Sequence, residues 1–141
     1  MLKKPIKIVL DTNILYSGLY SSQGASYKIL YEVYTRNIVP VLSTSLLFEY
    51  EDILKRYQSV LNLTELEINQ VLDNICYLGE TQKIYYRWRP FLKDPKDDHV
   101  LELAVASKSN CIATYNIKDF RSSEKFGVKV ITPKQLLEVL Q

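Results

Sequence analysis

The carboxylates that could do chemistry in this chain lie next to the ends of predicted strands. Asp11 directly follows the apolar run 6–10, and Asp119 follows the apolar run 111–114 after a short turn. Ligands of open parallel α/β sheets bind outside the carboxyl ends of the strands, so both acids are where a binding site is expected. Each position is also consistent with a helix cap or a turn.

Two further acids belong to predicted helices. Glu49 borders the apolar stripe of a helix predicted over 45–57, where it either points across a crevice or lies at the surface with its stem against apolar neighbours. Asp94 and Asp97 are explained by helix capping and by the helix dipole. Asp98 lies one position deeper than the cap, and we therefore interpret it as the functional acid of this group.

The elements that must position these acids alternate along the chain. Strands are predicted at 6–10, 38–42, 111–114 and 128–131. Helices are predicted at 45–57, 65–78, 94 to about 108, and 133–140. The segment 80–93 is expected to form a short edge strand and a loop. Alternation of this kind predicts an α/β three-layer sandwich, with a central parallel sheet flanked by helices on both faces.

Length and composition restrict the class of protein. The 141 residues fit a single domain over 1–141, and 47% hydrophobic with 24% charged residues is ordinary for a globular protein. The longest apolar stretches are far too short for a membrane span, so a cytoplasmic protein without membrane contact is expected. The single histidine and the spacing of the two cysteines argue against zinc sites and against Ser/His/Asp or Cys/His catalysis.

Four motifs carry a resemblance to a known family. They are Asp11-Thr12-Asn13, the stretch Ser43 to Glu51, the DPKDD helix start at 94–98, and TYNIKDF at 114–120. With these motifs in this order, the chain resembles the PIN-domain ribonucleases over essentially its whole length. More narrowly, it is similar to the bacterial PIN-domain toxins of toxin–antitoxin pairs (VapC-like).

The resemblance implies an acidic metal site. The metal ligands would be Asp11, Glu49, Asp98 and Asp119, with Asn116 beside them and Thr12, Asn13 and Thr114 in support. Clustered carboxylates repel one another unless a cation is present, and all-oxygen ligands favour Mg²⁺ or Mn²⁺. Many family members carry an acid where this chain has Asn116, so either Asp119 supplies the fourth carboxylate or a second metal ion binds weakly.

Basic residues near two of the motifs are predicted to contact nucleic acid. They are Lys118, Arg121, Arg87, Arg89 and Lys96, and the last three lie in a stretch that also contains aromatic residues suited to stacking on bases. An ordinary solvated surface is the alternative. His99 is expected to be a helix-surface residue without a catalytic role. Cys76 and Cys111 are expected to be reduced core residues.

The resulting hypothesis is a Mg²⁺- or Mn²⁺-dependent endoribonuclease, a toxin that forms homodimers and is held inactive by an antitoxin protein. One alternative is a PIN-like nuclease acting in RNA processing or on structured DNA without an antitoxin. Another is a non-catalytic PIN-like interaction module, for which Asn116 is the visible hint. A phosphate-binding α/β domain is disfavoured, since none of the four glycines forms a phosphate-binding loop.

Overall fold

The computed structural model of the protein describes residues 4–83 and 97–140, with the side chains of 121, 122 and 125 left out. The strands are β1 Ile6–Leu10, β2 Ile38–Leu42, β3 Glu80–Thr81, β4 Cys111–Ala113 and β5 Lys129–Ile131. The helices are α1 Thr12–Tyr20, α2 Ala25–Tyr34, α3 Thr44–Arg56, α4 Gln58–Leu61, α5 Glu65–Leu78, α6 Asp98–Ser107 and α7 Pro133–Leu140, and a 3₁₀ segment covers Ile117–Phe126.

The five strands form one parallel sheet in the order β3-β2-β1-β4-β5. Successive strands from β1 through β2 to β3 build outward on one side, and β4 and β5 build outward on the other. The order in which strands are added therefore reverses between the parallel neighbours β1 and β4, and the crevice at such a switch point is where α/β sheets bind ligands. The register pairs Leu10 with Ala113, so the residues that follow these two leave the sheet side by side.

Helices cover both faces of the sheet because side chains alternate along each strand. Val9 and Ile112 enter the core cluster that also contains Leu46 and Leu101 of α3 and α6. On the opposite face, Ile8, Leu10, Cys111 and Ala113 join residues of α2 and α7. This confirms the three-layer α/β architecture with a central parallel sheet.

The predicted helices and strands are present, with ends that agree within one or two residues where they are described. α5 begins at a capping box, in which Thr64 Oγ1 accepts from the backbone N–H of Glu67 and the Glu67 carboxylate accepts from the backbone N–H of Thr64. α3 begins after Ser43, whose hydroxyl accepts from the backbone N–H of Leu46 over 3.1 Å. β3 forms a sheet edge at the beginning of the segment 80–93, and positions 84–93 of that segment lie outside the described residues.

Some features differ from the sequence expectation. The predicted helix ranges do not include α1, α2 or α4. In α2, Tyr27, Tyr31 and Tyr34 occupy the exposed side and mask the apolar stripe made by its buried residues. Cys76 is exposed on α5, so its assignment to the core was wrong; it falls just outside the buried side of that helix. Cys111 is buried, as expected. In the described ranges, no helix has the length and apolar character needed to cross a membrane.

Candidate active site

The sheet register brings Asp11 and Thr114 together. The backbone N–H of Asp11 continues the ladder by donating to the carbonyl of Ala113 over 3.0 Å. Asp11 is only 4% exposed and Thr114 is fully buried, so both side chains lie at the bottom of the crevice between β1 and β4. The Thr114 hydroxyl donates to Asp11 Oδ2 over 2.7 Å.

Further donors hold the other side of the Asp11 carboxylate. As the N-cap of α1, Asp11 accepts a hydrogen bond of 2.8 Å from the backbone N–H of Thr12 to Oδ1. The side-chain amide of Asn13 lies 3.4 Å from Oδ2 and 3.4 Å from Thr114 Oγ1. The capping role considered for Asp11 is therefore real, and it fixes the carboxylate in the crevice.

Glu49 of α3 reaches the same place from a different layer. Its Oε1 lies 3.2 Å from Thr12 Oγ1, and that hydroxyl lies 3.5 Å from Asp11 Oδ1. A hydroxyl has one proton, so Thr12 donates to one of the two carboxylates at a time. Glu49 is half-buried and points across the crevice, as its position beside the apolar stripe allowed.

Tyr50 fixes the height of α3 over the sheet. Its ring is buried in the core and its hydroxyl donates to the carbonyl of Leu10 over 2.5 Å. Burial raises the pKa of Tyr50 well above its ordinary value, and the nearby charges of Asp11 and Glu49 raise it further. In the sequence, Tyr50 belongs to the apolar stripe of the helix predicted over 45–57. A tyrosine hydroxyl in such a stripe needs a buried partner, and that requirement was the signal for this contact.

His99 corrects one expectation. It was expected to be a helix-surface residue, but its side chain is 12% exposed and its Nε2 contacts Oε2 of Glu49. The reason is how α6 is rotated about its axis, because this rotation points the side chain of His99 towards α3 and not towards solvent. An imidazole therefore adjoins the acidic pair, and its position on a helix next to a predicted acid was the available signal.

The other predicted acids occupy nearby elements. Asp98 begins α6 and is 1% exposed, which is unusual for a carboxylate. Asp119 is half-buried in the 3₁₀ segment, and its backbone N–H donates to the carbonyl of Asn116 over 3.0 Å. Whether these two join Asp11 and Glu49 around one ion stays a prediction.

Asn116 contacts the site through its backbone N–H and not through its side chain. Its N–H donates to Thr114 Oγ1 over 3.0 Å, which orients the hydroxyl that in turn donates to Asp11. Its side chain is exposed at the start of the 3₁₀ segment. Next to it, the backbone N–H of Tyr115 lies 3.4 Å from Oδ1 of Asn13, which ties the loop after β4 to α1.

Of the basic residues predicted to contact nucleic acid, one side chain is described. Lys118 is exposed in the 3₁₀ segment, one turn from Thr114. The side chain of Arg121 and the whole of Arg87, Arg89 and Lys96 lie outside the described residues, as does the predicted helix start at 94–96.

The electrostatics of the acidic pair favour a cation. Burial raises the pKa of Asp11, the hydrogen bonds from Thr114 and Thr12 lower it in part, and the charge of Glu49 raises it again. A carboxylate that is buried beside a second carboxylate is more stable when a positive charge adjoins it.

The oxygen-rich donor set of Asp11 and Glu49 fits a hard divalent ion. Across residues 4–83 and 97–140, no group of three or more His, Cys, Asp and Glu side chains is close enough together to bind one ion. The set of four ligands that the resemblance implies therefore stays a prediction.

A family model described as PIN domain matches residues 7–118. The match covers most of the chain, and the protein belongs to the PIN-domain family. PIN domains are generally metal-dependent nucleases. The comparison with curated proteins finds no significant relative.

Proposed function

We propose that this protein is a metal-dependent endoribonuclease that hydrolyses RNA phosphodiester bonds at the crevice between β1 and β4. One observation carries the proposal: the buried carboxylate of Asp11 and the carboxylate of Glu49 lie on either side of the Thr12 hydroxyl. Two carboxylates held this close at a sheet switch point are costly for the fold, and a bound cation with its phosphate substrate would offset that cost.

Asp11 and Glu49 would hold Mg²⁺ or Mn²⁺, and Asp98 and Asp119 are the proposed additional ligands. When bound, a divalent ion of this type activates water for attack on phosphorus and stabilises the negative charge that develops on the phosphate. Thr114 and the backbone N–H of Thr12 keep the Asp11 carboxylate fixed by hydrogen bonds.

Two other side chains support this arrangement. His99 restrains Glu49, because its Nε2 contacts Glu49 Oε2. Lys118 is an exposed cation in the 3₁₀ segment after β4, at a position suited to an approaching phosphate. We propose the same role for Arg121, Arg87, Arg89 and Lys96.

We further propose that the protein is a cytoplasmic toxin of a toxin–antitoxin pair that forms homodimers. The resemblance of the four motifs to this group of PIN-domain proteins supports the proposal. Exposed tyrosines on α2 also support an interaction with another protein chain, since Tyr27, Tyr31 and Tyr34 are 45%, 57% and 74% exposed and tyrosine is enriched at binding surfaces.

The substrate class is tested with a panel of end-labelled nucleic acids: single-stranded RNA, hairpin RNA, single-stranded DNA and branched DNA, each with Mg²⁺, Mn²⁺ or EDTA. We expect internal cleavage of RNA with either metal and none with EDTA. Cleavage restricted to branched DNA would favour the nuclease alternative that acts on structured DNA. A folded protein that cuts no member of the panel with either metal would favour the non-catalytic alternative.

The toxin role is tested by inducible expression in bacterial cells. We expect growth arrest with the natural sequence and normal growth with Asp11→Asn at equal protein levels. Normal growth in both cultures, with a nuclease that is active after purification, would contradict the toxin role and leave the nuclease function intact. Light scattering gives the oligomeric state, and we expect twice the 16.4 kDa chain mass.

A further inference from the structure

A cavity adjoins the acidic pair on the side of α1 and α3. Its described lining consists of Thr12, Asn13, Tyr16, Ile53 and Tyr57, and its volume is about 250 Å³. This volume is below the range of about 300–1,000 Å³ that is typical of sites for drug-sized ligands. The cavity is therefore suited to a small ring system, such as one nucleobase.

The cavity and the acidic pair share a wall. Thr12 lines the cavity and also contacts the carboxylates of Asp11 and Glu49, and Asn13 lines it while its amide lies 3.4 Å from Asp11. A group in the cavity would therefore be separated from a phosphate at the acids by little more than one side chain. The base of a nucleotide is joined to its phosphate by a single sugar, so it falls within that reach.

The chemistry of the lining suits a base better than a phosphate. None of the five lining side chains carries a charge, while the hydroxyl of Thr12 and the amide of Asn13 provide hydrogen-bonding groups. Tyr16 and Tyr57 meet edge to face with ring centres 5.1 Å apart, and Tyr20 stacks on Tyr16 at 5.9 Å. Single-stranded nucleic acids bind to aromatic surfaces of this kind by base stacking.

Exposure of the rings supports a binding role. Tyr57 is 39% exposed and Tyr20 is 62% exposed, so these two rings keep surface that is not buried in the core and can contact a ligand. We propose that the Tyr16–Tyr57 cavity is a subsite for the single unpaired nucleobase that flanks the scissile phosphate. The proposal of this subsite rests on the proposed ribonuclease function. It implies that the RNA is single-stranded at the cleavage point.

The test measures binding of fluorescein-labelled single-stranded RNA by anisotropy, in Mg²⁺, on an Asp11→Asn background that prevents cleavage. We expect Tyr57→Ala to weaken binding about 5- to 150-fold, the range of one lost base stack. Tyr57→Phe keeps the aromatic face and should bind within about twofold of the background, since the hydroxyl adds little to stacking. Tyr77→Ala is the control, because Tyr77 is an exposed tyrosine of α5, outside the cavity and outside the exposed tyrosines of α2.

A second measurement changes the RNA and leaves the cavity intact. A set of RNAs with one abasic position each is bound to the Asp11→Asn protein, and one abasic position should weaken binding to the same extent as Tyr57→Ala. Combining that RNA with Tyr57→Ala should cause no further loss, since both changes remove the same contact. Cleavage mapping with the natural sequence should place this position next to the cut.

Three results would overturn the subsite. If RNA binds and is cut while every abasic RNA and Tyr57→Ala behave like the controls, the cavity holds no base and the ribonuclease function survives. If Tyr57→Ala leaves RNA binding unchanged but abolishes binding of a protein partner, the cavity receives a partner side chain. If the natural sequence neither binds nor cuts RNA with metal, the ribonuclease function and the subsite fail together.

Discussion

The hydroxyl of Tyr50 donates a hydrogen bond of 2.5 Å to the carbonyl of Leu10, the last residue of β1. Each of these residues precedes or follows one of the two acids along the chain, since Glu49 comes before Tyr50 and Asp11 comes after Leu10. One buried hydrogen bond therefore sets the position of the helix that carries Glu49 relative to the strand that carries Asp11.

Tyr50→Phe should therefore affect both stability and activity. The substitution leaves the buried carbonyl of Leu10 without this donor, and we expect the free energy of unfolding to fall by about 1–2 kcal/mol. RNA cleavage should fall as well, because Glu49 is less firmly placed. Urea denaturation and a cleavage time course measure the two effects. Tyr77→Phe, at a ring of α5 that is 77% exposed, is the control and should change neither quantity.

Asp11→Asn should stabilise the protein in the presence of EDTA. The substitution removes a buried charge and its repulsion from Glu49. Burial and the charge of Glu49 are also the causes that raise the pKa of Asp11. We expect a gain of about 0.5–2 kcal/mol in the free energy of unfolding at pH 7. Asp73→Asn, at an exposed acid of α5, is the matched control and should have little effect.

The same gain should depend on pH in a defined direction. The native state with Asp11 binds more protons than the unfolded state between the ordinary pKa of an aspartate and the raised native value, so its stability falls as pH rises through that window. The difference in free energy of unfolding between Asp11→Asn and the natural sequence should therefore grow as pH rises across this window and level off above it. A destabilised Asp11→Asn protein at pH 7 in EDTA would contradict this account.

His99→Ala should lower activity by releasing Glu49. Loss of a residue that orients a metal ligand typically costs about 10- to 100-fold in activity or metal affinity. His99→Gln keeps a side-chain donor that can reach Glu49 and should recover most of the loss. The measurement is the cleavage rate as a function of Mn²⁺ concentration. Equal rates for His99→Ala and the natural sequence at limiting Mn²⁺ would show that the contact has no role.

Gly79→Ala should destabilise the fold by about 1–3 kcal/mol, the usual cost of overpacking. A Cβ at this position would lie 2.7 Å from the carbonyl oxygen of Pro40 and 2.8 Å from that of Ile75, and both are backbone atoms that cannot move aside. Gly24→Ala is the comparison, because a Cβ there has no neighbour within 4 Å and only the smaller cost of alanine at the N-cap of α2, below about 1 kcal/mol, is expected. Thermal denaturation compares the two, and equal midpoints would refute the argument.

Much of the fold was predictable because the strands are short apolar runs and the helices carry clear stripes or caps. The run Ile6–Leu10 and the capping box at Thr64 and Glu67 are local signals that their tertiary contacts do not override. α2 was not predicted because its exposed tyrosines count as apolar residues in a hydrophobicity pattern and hide the contrast between its two sides. The burial of a tyrosine is decided by neighbouring elements, which the sequence does not display.

The candidate site was predictable in part for the same reason. The position of Asp11 at a strand end and of Glu49 beside a stripe follows from local periodicity, whereas their proximity depends on how α3 packs over the sheet. The contact of His99 with Glu49 depends on how α6 is rotated against α3, a long-range property of packing. The contacts of Tyr50 and Asn116 are likewise set by partners that are distant along the chain or by backbone atoms.

The most direct test of the central claim is the rate of RNA cleavage by the natural sequence, Asp11→Asn, Glu49→Gln and the control Asp73→Asn, each with Mn²⁺ and with EDTA. We expect cleavage by the natural sequence and by Asp73→Asn in Mn²⁺ only, and a loss of at least about 100-fold for the two site variants, in the range reported for groups that stabilise transition-state charge. Undiminished cleavage by folded Asp11→Asn protein in Mn²⁺, or equal cleavage in EDTA, would contradict the assignment of the acidic pair as the nuclease site.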